Sequence, residues 1–433
     1  MNLVFVGTGY VGLVSGVLLS HIGHKVTCID TDKDKINKLK LGILPLYEIG
    51  LQTYLNEGMK NNQLDFVYGF EHSFVDAEAV FITVGTPSLS SGDTDLSSIF
   101  ISVKQILPKI SPDCVIIIKS TVPPGTTARI SEYIHKIGYK NQVASNPEFL
   151  REGVAVKDFL EPERIVIGSD DENTKNLLQK IYRYLIDHNV TIVNTDPTTA
   201  ELIKYASNAF LATKIAFINE MSDLCEYAGG DIEKLALGIG LDSRIGDKFL
   251  KAGPGFGGSC FPKDILGLAY FAEKINKPSL LVQAVINTNI KRYSDMAEKI
   301  AKVYDDNLKD VNLAILGVTY KAGTDDVRNS PAIEIIKLLQ KKGANLTVYD
   351  PQGIKSAIRV LNGITYADST INLWTKKDGI VILTEWPEFT FLDFEFIKSR
   401  LIKPIIIDLR NILDPIKLKN IGYKYVSVGR KDA

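Results

Sequence analysis

Cys260 closes the glycine-rich stretch Gly253-Pro254-Gly255-Phe256-Gly257-Gly258-Ser259 and is followed by Phe261-Pro262-Lys263-Asp264. Pro262 suits the first turn of a helix, which would set Cys260 at that helix's N-terminus. There the helix dipole favours a thiolate, Lys263 adds positive charge, and the glycines would leave a substrate room to approach the sulfur. A nucleophile for covalent catalysis is one expectation; a structural thiol in a glycine loop is the other. Cys28, Cys114 and Cys225 sit in strand-like or helix-like apolar runs and read as packing residues.

Lys204 and Asn208 are four residues apart in a helical stretch whose stripe continues to the apolar Ala212 and Ile215. A solvated stripe would stay polar, so the pair is expected in a pocket, where a lysine and an amide can stabilise an oxyanion. On spacing alone, a surface lysine beside a half-buried asparagine fits equally well. Asn146-Pro147-Glu148-Phe149-Leu150-Arg151-Glu152-Gly153 carries two carboxylates just after a strand, the end of an open α/β sheet where ligands bind. Glu148 could take a proton from water, and Glu152 could contact a ribose or orient a neighbour; a solvated acidic pair is the alternative. Ser120-Thr121-Val122-Pro123-Pro124-Gly125 and Gly85-Thr86-Pro87 also follow strands, and either border a cofactor or simply turn the chain.

Gly7-Thr8-Gly9-Tyr10-Val11-Gly12 follows a strand and opens a helix, fitting G-x-G-x-x-G. The first glycine permits the tight turn, the second lets backbone approach a pyrophosphate, and the third lets the helix sit close to the strand. Free N–H groups at the helix start would face the phosphates. Asp30 ends the next strand, where a carboxylate accepts ribose hydroxyls of NAD and repels the 2′-phosphate of NADP. Lys35 lies just beyond. NAD is the expected cofactor.

These residues need a scaffold, and the chain supplies one. Strand candidates Leu3–Gly7, Lys25–Asp30, Ala79–Gly85, Val115–Ser120, Val143–Ser145, Arg164–Gly168 and Thr191–Asn194 alternate with helix-like segments, predicting a doubly wound parallel sheet. Residues 198–229 read as one long helix, with Thr198 and Thr199 as N-cap candidates and an apolar middle that suits a connection between two lobes. Helical runs over 262–275 and 279–306 follow. A second α/β region has strands Leu313–Gly317, Asn345–Asp350, Gly379–Leu383 and Pro404–Asp408, and Gly429 to Ala433 reads as an unpacked tail. The expected fold class is α/β: two Rossmann-like doubly wound parallel-sheet domains joined by a helical central region with a long connecting helix. The expected domains are 1–196, 197–306 and 307–433.

At 433 residues the chain is too long for one core. A net charge of −1 gives no electrostatic case for nucleic acid or membrane partners. No apolar run approaches a membrane span, no basic leader precedes the first strand, and four scattered cysteines suit a reducing cytoplasm. The five histidines form no ligand pattern, so no metal is expected.

Taken together, GTGYVG at 7–12, STVPPG at 120–125, SNPEFLREG at 145–153, ELIKYASNAF at 201–210, RIGDKFLKAGPGFGGSCFPKD at 244–264 and GVTYKAGTDDVRNSP at 317–331 resemble the UDP-glucose 6-dehydrogenase family within the nucleotide-sugar dehydrogenases. The resemblance runs nearly end to end. It implies a four-electron oxidation of UDP-glucose to the uronate, using NAD twice, with thiohemiacetal and thioester intermediates on Cys260. It further implies that Lys204, Asn208 and Asp264 manage the alkoxide or its proton, that Glu148 assists hydrolysis, and that Thr121 lies near cofactor and water. Cofactor contacts would come from Gly7, Gly9, Tyr10, Val11, Gly12, Asp30, Lys35, Thr86, Thr121, Glu152, Lys263 and Arg328. The sugar nucleotide would meet Glu148, Phe149, Leu150, Arg151, Glu152, Lys204 and Asn208, then Phe249, Leu250, Lys251, Ala252, Gly253 and Gly257, with Lys321 from the second lobe. Arg244 resembles the family's arginine that reaches a neighbouring subunit's substrate, implying a homodimer or larger homo-oligomer.

Within the class, GDP-mannose and UDP-N-acetylhexosamine 6-dehydrogenases are the rivals. Ser259 before Cys260 resembles the UDP-glucose and GDP-mannose branches, and Arg244-Ile245-Gly246 with Phe249-Leu250 favours UDP-glucose. From other classes, an NAD-sensing module lacks support because no essential group is missing, and a two-electron hydroxyacid dehydrogenase would need neither Cys260 nor a second lobe.

Overall fold

The computed structural model describes residues 1–371 and 373–431. The chain divides into two compact units, Met1–Ser207 with Leu266–Pro278, and Asn208–Ile265 with Ser279–Ala433.

In the first unit, the strands among the described residues are β1 (Asn2–Val6), β2 (Lys25–Asp30), β3 (Leu64–Tyr68), β4 (Ala79–Ile82), β5 (Val115–Ile118), β6 (Val143–Ser145), β7 (Arg164–Gly168) and β8 (Thr191–Thr195). They form one sheet in the order β3-β2-β1-β4-β5-β6-β7-β8. Every residue of β4 and β5 is buried, as a parallel sheet covered on both faces requires. The order reverses between β1 and β4, the switch point at which such sheets take ligands beyond their C-terminal ends. The expected parallel pairing holds except at β6 and β7, which meet antiparallel at Ser145 and Gly168. The chain between them carries only the short helix Ala155–Leu160, so it returns without the crossover that a parallel pair demands. β3 was not expected: it is an edge strand whose Asp65 and Tyr68 are exposed, which masks its apolar alternation.

In the second unit, β9 (Asn312–Leu316), β10 (Asn345–Tyr349), β11 (Thr365–Tyr366), β12 (Gly379–Ile382), β13 (Ile405–Asp408) and β14 (Lys424–Ser427) lie in the order β11-β10-β9-β12-β13-β14, all pairs parallel. The edge strands β11 and β14 are additions to the expected set. The start of this sheet repeats the first: Gly317 N–H donates to Tyr349 O at 2.8 Å, as Gly7 N–H does to Ile29 O at 2.8 Å. Asp350 follows β10 as Asp30 ends β2. Its carboxylate, however, is buried and accepts from the N–H groups of Val318, Thr319, Gln352 and Gly353, from the Thr319 hydroxyl and from the Trp386 indole. Protein donors thus occupy the oxygens that a ribose would use.

The long helix spans Pro197–Ala228, and the division between units falls within it, after Ser207. Its cap is Asp196 rather than Thr198 or Thr199: Asp196 accepts from Thr199 N at 2.8 Å and from Thr199 Oγ1 at 2.6 Å, leaving Pro197 at the first helical position. The next helices are Phe261–Lys274 and Leu280–Lys302. The second stops short of residue 306 because Asp305 and Asp306 adopt left-handed backbone (φ 54° and 60°). The expected unpacked tail is corrected in part. Gly429 is buried with its N–H on Glu226, and Arg430 pairs with Asp231 at 3.2 Å, while Asp432 and Ala433 lie outside the described residues. No helix among the described residues is long and apolar enough to cross a membrane.

Candidate active site

The dinucleotide turn of the first unit separates its three glycines by physical role. Gly7 has φ +100°, a conformation that side chains resist. A Cβ on Gly12 would stand 1.9 Å from Gly7 O and 2.4 Å from Thr83 Oγ1, so nothing larger fits between helix Tyr10–His21 and the turn. A Cβ on Gly9 would meet no atom within 4 Å. The space beside Gly9 is therefore open, as the close approach of a pyrophosphate to the helix start requires.

Asp30 Oδ2 accepts from Thr8 N at 2.8 Å, Thr8 Oγ1 at 2.6 Å and Lys35 Nζ at 3.1 Å. Burial works against its charge, but the bonds from Thr8 and Asp32 and the nearby Lys35 ammonium hold its carboxyl below the usual range. Lys35 thus acts on Asp30. Tyr10 contributes its backbone at the helix start, whereas its phenol bonds Glu48. Glu48, which is buried, also accepts from Gly153 N at 2.7 Å and Ala155 N at 2.8 Å. Glu48 therefore ties the cofactor turn to the loop carrying Glu148 and Glu152, and Val11 continues the helix behind it.

On that loop, Lys204 Nζ lies 3.2 Å from Glu148 Oε1, and both side chains are only 5 % exposed. Glu148 Oε2 accepts from Leu150 N at 2.6 Å, which fixes the carboxylate from its own loop. The Phe149 ring lies beneath Arg164, 3.8 Å from the guanidinium, and 5.3 Å from Lys204 Nζ. Glu152 is buried, so neither acid belongs to a solvated pair. Arg151 is exposed and held by Asp158 at 2.6 Å. The loops after β4 and β5 are fastened to each other: Ser120 Oγ donates to Val84 O at 2.7 Å and Thr86 Oγ1 to Thr121 O at 2.9 Å. Glu201, one helical turn before Lys204, accepts from Gly125 N at 2.6 Å and Thr127 N at 2.7 Å. It anchors the STVPPG loop to the lysine's own helix.

In the second unit, Asp264 N–H donates to Cys260 O at 2.9 Å, so Cys260 is the residue immediately before helix Phe261–Lys274. Asp264 is buried; its Oδ2 accepts from Asn208 Nδ2 at 2.6 Å and its Oδ1 from Lys263 Nζ at 2.6 Å. Asn208 and Lys204 lie one turn apart on the long helix and are both buried, as the apolar stripe implied. Cys260 is half-buried with Ser259 Oγ 3.5 Å from its sulfur, while Cys28 and Cys114 are fully buried. Burial pushes the Cys114 thiol up to about 12 and Cys28 higher still, which suits packing residues.

Three of the glycines before Cys260 lie tightly against the rest of the chain. A Cβ on Gly257 would strike Asn329 O at 2.2 Å, one on Gly255 would strike Asn289 Oδ1 at 2.7 Å, and one on Gly258 would strike the Tyr320 ring at 2.9 Å. The chain itself occupies the place of a side chain at these three positions, so they serve close packing. Three buried side chains clamp the stretch. Asn219 Oδ1 accepts from Gly253 N at 2.8 Å, Arg292 Nε donates to Gly253 O at 3.0 Å, and Asn289 bonds both N and O of Phe256. Leu250, Ala252 and Gly253 are buried, Lys251 is exposed, and Phe249 has φ +65°. Lys321 stands over the Tyr320 ring, Arg328 is paired with Asp326 at 2.8 Å, and Arg244, 87 % exposed, is held by Asp242 at 2.6 Å.

Sequence reasoning missed Glu48, Lys119, Asn146, Glu201, Asn219, Asn289 and Arg292. One signal was present for the last two: Val282, Val285, Asn289, Arg292 and Met296 follow one buried helical stripe, where polar residues demand partners. Among the described residues, no group of three or more His, Cys, Asp or Glu is placed to hold a metal ion.

Comparison with known proteins agrees with this geometry along the whole chain. Residues 1–186 match the UDP-glucose/GDP-mannose dehydrogenase family NAD binding domain, residues 198–291 its central domain, and residues 314–415 its UDP binding domain. The UDP-glucose 6-dehydrogenase of Rickettsia bellii (strain RML369-C) is 52% identical over 433 residues, covering 100% of both chains. The solved structure of a UDP-glucose dehydrogenase from the hyperthermophilic archaeon Pyrobaculum islandicum superposes with a TM-score of 0.91 at 34% identity, covering 99% of this chain and 98% of that one. A UDP-D-ManNAc dehydrogenase from Pyrococcus horikoshii superposes at 0.88 with 27% identity, over 100% of each chain. With a dinucleotide turn open at Gly9, a cysteine heading a helix, and matches across every region that carries these features, the chain belongs to the UDP-glucose/GDP-mannose dehydrogenase family, whose members are NAD-dependent dehydrogenases.

Proposed function

We propose that the chain oxidises UDP-glucose at its primary alcohol to the uronate, with Cys260 as the nucleophile. The observation that carries this reading is the placement of Cys260 directly before helix Phe261–Lys274, whose first turn presents Asp264 bonded to Asn208. The 52% identical Rickettsia relative named UDP-glucose 6-dehydrogenase supports the choice of sugar nucleotide.

NAD, held by the Gly7–Gly12 turn, the N–H groups of helix Tyr10–His21 and Asp30, supplies the hydride acceptor when bound. Thr86, Thr121, Glu152, Lys263 and Arg328 complete its contacts. Lys204 and Asn208 stabilise the alkoxide formed as the alcohol loses its proton, and Asp264 orients Asn208. Loss of a hydride from the alkoxide carbon leaves an aldehyde, whose carbon bonds to the Cys260 sulfur as the thiol proton passes to the aldehyde oxygen, giving a thiohemiacetal. Loss of a proton and a hydride from that adduct leaves a thioester. Glu148 takes a proton from water as its oxygen attacks the thioester carbon, and the carbon–sulfur bond breaks to release uronate and restore the thiol.

Residues 1–196 are assigned to the cofactor, 197–306 to the helical centre and 307–433 to the UDP moiety, with Phe249 to Gly253, Gly257 and Lys321 toward the sugar nucleotide. A homodimer is proposed, supported by Phe210, Phe217 and Leu224, which are exposed at seven-residue intervals on the long helix. Arg244 would serve the neighbouring subunit's substrate. A cytoplasmic location accompanies this proposal, because Cys260 must stay reduced to act. Assaying NADH release with UDP-glucose, GDP-mannose and UDP-N-acetylhexosamines tests the function. UDP-glucose should be preferred; a signal with GDP-mannose and none with UDP-glucose would refute the choice.

A further inference from the structure

Lys119 ends the apolar run of β5, and its side chain is buried in the first unit. Its ammonium donates to Asn146 Oδ1 at 3.0 Å, to Tyr182 OH at 3.3 Å and to Asn146 O at 3.5 Å, none of them a charged partner. Tyr182 OH also donates to Asn146 Oδ1 at 2.6 Å, and Asn146 Nδ2 donates to Val166 O at 2.8 Å. Asn146 is thereby fixed on every polar atom, two residues before Glu148. Lys119, Asn146 and Glu148 line one small cavity of about 50 Å³, room for a water or two.

We propose that Lys119 is a positioning residue for Glu148, locking the Asn146-Pro147-Glu148 turn and supplying a second buried positive charge beside this candidate base for thioester hydrolysis. This role rests on the function proposed above. Glu148 pairs with Lys204 from the long helix, Arg164 from β7 lies over Phe149, and Lys119, just after β5, lines the same cavity as Glu148 and as Asp158, which is paired with Arg151. Burial, together with the Lys204 charge and against the attraction of Glu148, brings the Lys119 ammonium down to about 8. Two lysines and one carboxylate thus lie together in this buried cluster.

The test is the pH profile of kcat for the full chain with UDP-glucose and NAD, in wild type, Lys119→Met and Asn146→Asp. Removing the ammonium, or offsetting it with a neighbouring carboxylate, makes protonation of the hydrolytic base easier. The acid limb should move up by about half to one pH unit in both variants, with both KM values within roughly twofold of wild type. An acid limb that stays in place in either folded variant overturns the role, as does failure of both variants to fold, which would mark Lys119 as a support of the sheet. A wild type that releases no uronate removes the function itself and this role with it. A wild type that makes uronate while the variants share its profile removes only the role of Lys119.

Discussion

Lys204 Nζ stands 3.2 Å from Glu148 Oε1 with both side chains 5 % exposed, so the candidate oxyanion stabiliser and the candidate hydrolytic base form one buried ion pair. Removing either partner leaves the other charge without it. Lys204→Ala should lower kcat by roughly 10²- to 10³-fold, with NAD affinity held within about threefold. A loss confined to affinity would contradict the assigned role. Glu148→Gln keeps the shape and removes the base, so a thioester on Cys260 should accumulate and be detected by mass spectrometry after acid quench.

The dinucleotide turn allows a contrast between two glycines. Gly12→Ala forces a Cβ to within 1.9 Å of Gly7 O and should cost about 1–3 kcal/mol of stability along with NAD binding. Gly9→Ala meets no protein atom within 4 Å, so its melting temperature should match wild type while its NAD affinity falls. Calorimetry with NAD titration separates the two; equal stability losses would rule out an open cradle at Gly9.

Asp30 gives a pH prediction with a definite sign. Its carboxyl is held below the ordinary range despite burial, so its contribution to stability is complete above the usual carboxylate value of about 4. That contribution is lost as pH falls through the depressed folded value. The melting-temperature difference between wild type and Asp30→Asn should stay constant from neutrality to about pH 4 and shrink below it. A difference that shrinks between pH 7 and 5 would contradict the assignment.

Arg292 is buried and spans Gly253 O at 3.0 Å, Ser222 Oγ at 2.9 Å and Asp223 at 2.5 Å. Arg292→Met should destabilise the chain by about 3 kcal/mol and raise KM for the sugar nucleotide. Thermal denaturation and kinetics check both; an unchanged KM would mean that the clamp does not set the Phe249–Gly253 stretch.

Much of the cofactor half was legible because its determinants are local. Gly7, Gly12 and Asp30 lie within one strand–helix–strand span, and the turn demands those residue types. Cys260 was placed by Pro262 in the same local way. The rest depended on distant partners. Nothing near Lys119 in the chain announces Tyr182, and the glycines of residues 253–258 are explained by Asn289, Asn329 and Tyr320, all far along the sequence. The edge strand β3 was missed because the exposed Asp65 and Tyr68 interrupt its apolar pattern. Asp350 shows the limit in reverse: its position copies Asp30, and only the fold reveals that protein donors have taken its oxygens.

The most direct test counts NADH formed per UDP-glucose consumed, in wild type and in Cys260→Ala with NAD binding verified. Wild type should yield two NADH and one uronate per sugar, and the variant no uronate at all. Uronate production by Cys260→Ala at the wild-type ratio would contradict the covalent capture on which the mechanism stands.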